Sequence, residues 1–158
     1  GSNEKQSPNV EFISFETKKA NKLQAAEFGV PAGSPVFQIY NKLGLNKKFY
    51  IVDKIIIPQD KFPGLNEEIF RERANTIYNL YQNKFNIFIT NCSEKLKAIS
   101  ANEKISKLLN IPSNAPILKI NRVGQTYNNV TIELRTSYVH TSDIDYIHSQ
   151  NSTFGEAI

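Results

Sequence analysis

One segment of the chain occurs twice, and this duplication constrains the fold more than any other feature of the sequence. Leu23–Asn41 (LQAAEFGVPAGSPVFQIYN) matches Lys104–Arg122 (KISKLLNIPSNAPILKINR) at an offset of 81 residues, which places Pro31 on Pro112. Each copy predicts the end of a helix, a turn bounded by two prolines, and the start of a strand. The chain is therefore expected to fold as two related halves.

The predicted helix ends also correspond between the two copies. Gly29 follows the apolar Phe28 in the first copy, and Asn110 follows Leu109 in the second. Glycine and asparagine are the residues that most readily adopt the left-handed conformation after the last turn of a helix. The proline that follows in each copy cannot continue the helix, so both helices are expected to stop there.

The match continues into the next strand and places one carboxylate in each half. Tyr50–Lys54 aligns with Asn129–Glu133 or, one residue later, with Val130–Leu134. We prefer the later alignment, with an offset of 80, because it puts Asp53 on Glu133. Two related halves facing each other across a sheet would direct both acids into one shared space, which predicts a ligand pocket. The alternative is that both acids are solvated strand residues, since strand side chains alternate between faces.

Length and charge limit the class of protein. The 158 residues suffice for one domain with its own core, predicted over residues 10–148, after a tag remnant and linker at 1–9 and before a weakly ordered tail at 149–158. The lone Cys92 excludes an internal disulfide, and no apolar run spans a membrane, which favours a cytoplasmic protein. The net charge of +4 includes no basic run longer than two residues, unlike a nucleic-acid-binding surface.

About six strands and three or four helices are predicted, and hairpins predominate over βαβ units. The predicted strands are Val10–Thr17, Val36–Leu45, Phe49–Ile57, Phe85–Ser100, Ile117–Tyr127 and Val130–Val139. The predicted helices are Ala20–Phe28, one that begins at Asn66, one from Asn75 or Thr76 to about Lys84, and Ala101–Leu109. This pattern predicts an α+β fold, in which helices flank a largely antiparallel six-stranded sheet.

The sequence offers little for catalysis or metal binding. It has no Gly-x-Ser-x-Gly motif, no glycine-rich phosphate loop and no activating neighbours around Cys92. His140 and His148 lie near two aspartates, but without a recognised ligand spacing. We therefore predict no catalytic residue, no metal site and no cofactor.

Polar residues inside apolar elements favour a binding function instead. They are Asp53, Glu133, Arg122, Arg135, Tyr50, Tyr78 and Tyr138. A mostly hydrophobic pocket with a few orienting polar groups is typical of small-molecule sites, and arginine can bind a carboxylate or phosphate. The alternative for each arginine is an ion pair with a neighbouring acid. Arg135 and Glu133 share a strand face, so their pairing is equally consistent with a purely structural role.

Several short motifs, in their order and spacing, resemble a UTRA domain, the effector-binding module of the HutC-type branch of GntR-family transcription regulators. The motifs are Gly29–Val36 (GVPAGSPV), Ile57–Pro58, Phe62–Leu65 (FPGL), Thr76–Tyr78, Ile111–Leu118 (IPSNAPIL), Glu133 and Ser137–Tyr138. The resemblance covers about Val10–Tyr146. It implies a chorismate-lyase-like fold and a homodimer that senses a small metabolite.

The resemblance also implies the partners of the module. DNA would be contacted only through a winged helix-turn-helix domain that precedes the module in this family, and no membrane partner is expected. The chain would then be the sensing half of a repressor. Two alternatives remain open, an enzyme of the chorismate lyase kind and a dimerisation domain without a ligand.

Site residues are implied by the same resemblance. The acid that meets a sugar falls on Asp53, the helix start on Thr76, the neighbouring aromatic on Tyr78 and the late acid on Glu133. The arginines that grip phosphate in sugar-responsive members fall on Asn41 and Leu43, so this sequence departs from that pattern. The candidate ligand-binding residues are Asn41, Asp53, Lys54, Thr76, Tyr78, Arg122, Glu133, Arg135 and Tyr138.

These candidates carry two further expectations. Lys54 or Arg135 is expected to replace the lost phosphate-binding charge, and Arg122 corresponds to Asn41 in the duplication. Replacing either Asp53 or Glu133 by alanine is expected to abolish a ligand response while leaving the fold largely intact.

Overall fold

A six-stranded antiparallel sheet forms the centre of the computed structural model, which describes residues 8–147. The strands are β1 (Pro8–Lys19), β2 (Pro35–Leu45), β3 (Lys48–Pro58), β4 (Asn91–Ser100), β5 (Pro116–Thr126) and β6 (Val130–Val139). The helices are α1 (Lys22–Phe28), α2 (Glu67–Arg71), α3 (Ile77–Phe85) and α4 (Glu103–Leu109). The predicted α+β class with a six-stranded sheet is confirmed. The predicted tail at 149–158, His148 and linker residues 1–7 lie outside the described residues.

The strand order β1-β2-β3-β6-β5-β4 shows the predicted duplication directly. Each half contributes a strand, a helix and a hairpin, and the two halves join where β3 pairs with β6. Helix α1 of the first half packs against β6 of the second, and α4 of the second half packs against β3 of the first. The seam between β3 and β6 is therefore the centre of the molecule.

The two copies share their helix caps. Asn21 accepts a hydrogen bond from the backbone of the first turn of α1, and Asn102 does the same for α4. Both helices end in the left-handed conformation, with φ of 66° at Gly29 and 54° at Asn110. The helix ends predicted from the duplication are confirmed.

The loop after each helix is closed by the same backbone hydrogen bond. The Ala20 amide donates to the Ser34 carbonyl at 2.8 Å, and the Ala101 amide donates to the Ala115 carbonyl at 2.8 Å. The two donors lie 81 residues apart in the chain, and so do the two acceptors, which is the offset of the sequence repeat. The repeat thus encodes a local structure made twice, in which the chain returns from the helix to the sheet.

One predicted strand is wrong in its first part. The strand expected over Phe85–Ser100 begins only at Asn91, because Phe85 is the last residue of α3, Asn86 adopts a φ of 53°, and residues 87–90 are irregular. Ile87 and Ile89 lie in the irregular segment that follows and pack against the main core. Their alternation resembled a strand because both side chains are partly buried on one side of an irregular segment.

Strand alternation divides the sheet into two covered faces. The face that we call the α3 face carries Ile39, Ile55 and Ile57, which pack with Tyr81 of α3 in the largest hydrophobic cluster. The opposite face, the α4 face, includes Val52 and packs against α1 and α4. Within residues 8–147, no helix is both long and apolar enough to cross a membrane.

Candidate functional site

A row of polar side chains crosses the α3 face at the seam between the two halves. Asn41 of β2 pairs with Asp53 of β3, which pairs with Ser137 of β6. One step along the sheet, Arg135 of β6 pairs with Arg122 of β5. Directly paired residues project from the same face of an antiparallel sheet, so these five side chains share one side.

Arg135 lies at the centre of this row and binds both of the predicted acids. Its Nε donates to Glu133 Oε1 at 2.8 Å, its Nη2 donates to Glu133 Oε2 at 3.1 Å, and its Nη1 lies 3.7 Å from Asp53 Oδ2. Burial acts to lower the pKa of Arg135, but the neighbouring charges, Glu133 first, outweigh it and raise that pKa well above its usual value. The two duplicated acids therefore face one guanidinium, whereas the alignment at an offset of 80 led us to expect that both would line one ligand pocket.

Glu133 is fully buried and its carboxylate is saturated with hydrogen bonds. Besides Arg135, it accepts the Tyr81 hydroxyl at 2.6 Å and the Tyr78 hydroxyl at 3.3 Å. Burial, and then the charge of Glu133, raise the pKa values of both tyrosines. Glu133 therefore anchors the floor of the site, and from these contacts we predict that alanine there destabilises the fold, contrary to the expectation from the sequence. Removing it would leave a buried guanidinium and two buried hydroxyls without their acceptor.

A small cavity of about 20 Å³ lies on the α3 face above Arg135. Its polar lining consists of Asp53, Glu94, Arg122, Arg135, Ser137 and Tyr146, and its apolar lining consists of Leu43, Ile51, Ile120 and Val139. Asp53 Oδ1 accepts the Ser137 hydroxyl at 2.5 Å, which fixes one carboxylate oxygen at the cavity wall. The volume is enough for about one water molecule.

Tyr146 closes the cavity on the side of β4. Its hydroxyl donates to Glu94 Oε2 at 3.0 Å, and burial, followed by this hydrogen bond, raises its pKa. The ring packs against the apolar cluster that lines the cavity. The segment that follows β6 therefore supplies one wall of the site.

Arg122 is the less tightly bound of the two arginines. Its Nη1 lies 3.5 Å from the Tyr78 hydroxyl and its Nη2 lies 3.9 Å from Glu94 Oε2, whereas Arg135 has a close bidentate partner. A guanidinium carries five N–H donors, so Arg122 retains capacity to bind a further acceptor. It is the cavity-lining cation best suited to contact a ligand.

Asn41 carries an unusual buried amide next to this row. The residue is 2% exposed, and its Oδ1 has no hydrogen-bond partner within the part of the chain that the structure describes. Buried polar atoms are nearly always hydrogen-bonded, so an unpartnered one directly beside Asp53 marks a place where a water or ligand group would be stabilised.

Glu133 and Tyr78 belong to the hydrogen-bonded network of Arg135 but do not line the cavity, and three further predicted residues lie outside this network, the cavity and the polar row. Lys54 and Tyr138 lie on the α4 face, because each is one residue away from a residue of the α3 face and strand side chains alternate. Burial lowers the pKa of Lys54 there, with further lowering by two nearby lysines. Thr76 caps α3 by accepting the Asn79 amide at 3.1 Å. The nine predicted residues therefore do not form a single pocket.

Three polar cavity residues, Ser137, Glu94 and Tyr146, were missing from the candidate ligand-binding residues, although Ser137 belongs to the motif Ser137–Tyr138. Glu94 lies in the exposed strand β4, where its alternation with Cys92 gave no sign of a partner. Tyr146 follows the last strand, in a segment without periodicity. Only the register between β4 and β5, which pairs Glu94 with Arg122, indicates that Glu94 faces the site.

Comparisons with known proteins agree with this architecture. The family model described as UTRA domain matches residues 3–145. A search of the curated proteins found no match. Among solved structures, one described as the ligand-binding domain of a putative GntR-family transcriptional regulator from Bordetella bronchiseptica has a TM-score of 0.86 at 25% identity, covering 91% of this chain and 92% of that one.

A second relative shows the same fold at lower identity. The effector domain of PhnF from Mycobacterium smegmatis has a TM-score of 0.79 at 20% identity, covering 91% of this chain and 89% of that one. In a structure of PhnF itself the match has the same TM-score and identity and covers 92% of this chain, but only 64% of that one. The shared fold thus extends over nearly the whole chain.

Proposed function

Because the chain belongs to the UTRA domain family, the effector-binding domains of GntR-family transcription regulators, we propose that it binds a small metabolite in the cavity above Arg135 and thereby modulates DNA binding. DNA would be contacted by another domain of the regulator. The regulator would act in the cytoplasm as a homodimer.

The observation that carries this proposal is the convergence of polar groups within apolar walls. Six polar side chains, among them Asp53, Arg122 and Ser137, line one cavity together with four aliphatic side chains. Small-molecule sites have this composition, in which a few placed polar groups orient the ligand. A core that served stability alone would gain little from the buried Arg135, since desolvation offsets most of the attraction between buried ions.

The position of the cavity supports a mechanism for signalling. It lies at the seam between β3 and β6, where the two related halves meet. A ligand held there contacts both halves at once, so it binds best to one arrangement of them. An effector shifts a conformational equilibrium only by its differential affinity for the two states, and this seam is where such a difference would arise.

We propose a binding role rather than catalysis. Cys92, the one thiol, lies 3.9 Å from the Tyr78 hydroxyl, and burial raises its pKa, which disfavours the nucleophilic thiolate. The alternative of a chorismate-lyase-like enzyme would require turnover in this cavity. The alternative of a dimerisation domain without a ligand leaves the polar lining without a purpose.

Thermal denaturation against a metabolite panel tests the proposal. The panel holds monosaccharides, amino sugars, sugar phosphates and small carboxylates. A true effector at 100 times its Kd stabilises by about 2.7 kcal/mol, which raises the Tm of a chain of this length by roughly 5–10 °C. Arg122→Ala should remove most of this shift, whereas Lys54→Ala, on the opposite face, should retain it. Equal responses of the two variants would place the ligand elsewhere, and turnover of chorismate would refute a purely sensory role.

A further inference from the structure

We propose that Glu94 and Arg122 form the outer half of the effector site, and that Tyr146 occupies the position of a ligand hydroxyl or ammonium group until the effector displaces it. This inference rests on the proposed function and adds a subsite and a mode of regulation to it. The carrying observation is the Tyr146 hydroxyl, which donates to Glu94 Oε2 at 3.0 Å while Arg122 lies 3.9 Å from the same oxygen.

The closed cavity is too small for a metabolite. It measures about 20 Å³, whereas small-molecule sites usually enclose roughly 300–1,000 Å³. Nine of its ten lining residues belong to strands β2 to β6 of the central sheet, which are joined by ladders of hydrogen bonds. The tenth is Tyr146, so we expect a ligand to enter by displacing this side chain.

The segment that carries Tyr146 is attached by few contacts. We call residues 141–147 the strap; it contains neither helix nor strand. Ile144 and Tyr146 pack against the apolar cluster, and Asp143 forms an ion pair with Lys48 in which both side chains are about half exposed. Exposed ion pairs contribute little to stability, so the contacts of Ile144 and Tyr146 are the main attachment of the strap.

The charges around the cavity indicate the chemistry of the ligand. Three carboxylates, on Asp53, Glu94 and Glu133, lie near two guanidiniums, and Arg135 is already bound by Glu133. The group now held by Glu94 is a neutral hydroxyl donor. A hydroxyl or ammonium group of the effector can replace it, whereas a phosphate dianion at this end would face two carboxylates. Arg122, released from Glu94, would bind an acceptor oxygen of the same ligand.

Thiol labelling tests the strap without any ligand. Val139 is 1% exposed and lines the cavity under Tyr146, so Val139→Cys in a Cys92→Ser background reports how often the cavity opens to iodoacetamide. Tyr146→Ala should raise the labelling rate at least tenfold, and Tyr146→Phe should raise it by a smaller factor. Tyr127→Ala, a matched change at an exposed tyrosine, should leave the rate unchanged. A rate for Tyr146→Ala within twofold of the parent would overturn the proposal.

Ligand titration tests the subsite. The probes are neutral monosaccharides, amino sugars and their phosphorylated counterparts, measured by thermal shift. Because the strap competes with the ligand, Tyr146→Ala should bind tighter by about the factor that it adds to the labelling rate, and Glu94→Gln should bind more weakly. Preference for the phosphorylated member of a pair would overturn the ligand class. If no probe binds any variant, the proposed function fails, while the labelling result still decides whether Tyr146 closes the cavity.

Discussion

Removing one partner of the Glu133–Arg135 pair should destabilise the protein far more than removing both. Glu133 is fully buried and Arg135 is 4% exposed, and two short hydrogen bonds join them. Glu133→Gln keeps the size of the side chain but removes its charge, so Asp53, at 3.7 Å, is the remaining carboxylate paired with the guanidinium. Breaking a buried pair in this way costs about 3–5 kcal/mol, because the remaining charge stays desolvated without compensation.

The matched variants form a double-mutant cycle. Arg135→Met removes the cation and leaves Glu133 buried with only two tyrosine hydroxyls, which should also cost about 3–5 kcal/mol. The double variant Glu133→Gln, Arg135→Met contains no buried charge from the pair, and the amide oxygen of the introduced glutamine can still accept a tyrosine hydroxyl. We expect it to lose only about 1–2 kcal/mol, since replacing both partners of a buried pair is often nearly neutral.

Urea denaturation, followed by circular dichroism, measures all four free energies of unfolding. The expected coupling between the two positions is at least about 4 kcal/mol, above the range of about 0.5–3 kcal/mol found for most residues in contact. Each single variant should lower the Tm by roughly 6–20 °C. Additive losses in the double variant, or a loss below about 1 kcal/mol in either single variant, would refute the interpretation of this pair as one buried electrostatic unit.

Three further predictions concern other parts of the fold. Burial raises the pKa values of Tyr78 and Tyr81 above those of the unfolded chain, so the folded state keeps protons that the unfolded state loses at high pH. The free energy of unfolding should therefore fall by about 2.7 kcal/mol per pH unit above pH ~10. Urea denaturation at increasing pH measures this slope. Gly44→Ala should lower the free energy of unfolding by about 1–3 kcal/mol, because the added Cβ would overlap the backbone of the neighbouring strand. Gly124→Ala should be tolerated, because its added Cβ would have its nearest neighbours at 3.6 Å. Equal Tm values for the two variants would contradict this. Lys47→Gly should stabilise the β2–β3 turn by about 1 kcal/mol, because Lys47 has a φ of 67°, and an unchanged Tm would contradict it.

The local structure was largely predictable because it depends on residues close together in the chain. The prolines and the helix ends at Gly29 and Asn110 defined the two halves, and the duplication put Asp53 and Glu133 at equivalent positions in them. The period of two along a strand already placed Lys54 and Asp53 on opposite faces of their strand, which argued against both lining one pocket. The false strand start at Phe85 arose because alternating burial also occurs in an irregular segment.

The sequence by itself determined the duplicated unit, the antiparallel sheet and the acids that face the seam. Only the tertiary structure decided which groups meet there. Pairing of β3 with β6 brings Asp53 to Arg135, and Tyr146 reaches Glu94 across 52 positions of the chain. Such contacts depend on strand register and on the path of the chain after β6, and neither leaves a periodic signal among neighbouring residues. For that physical reason the floor of the site could be predicted in part from sequence, while its closing wall could not.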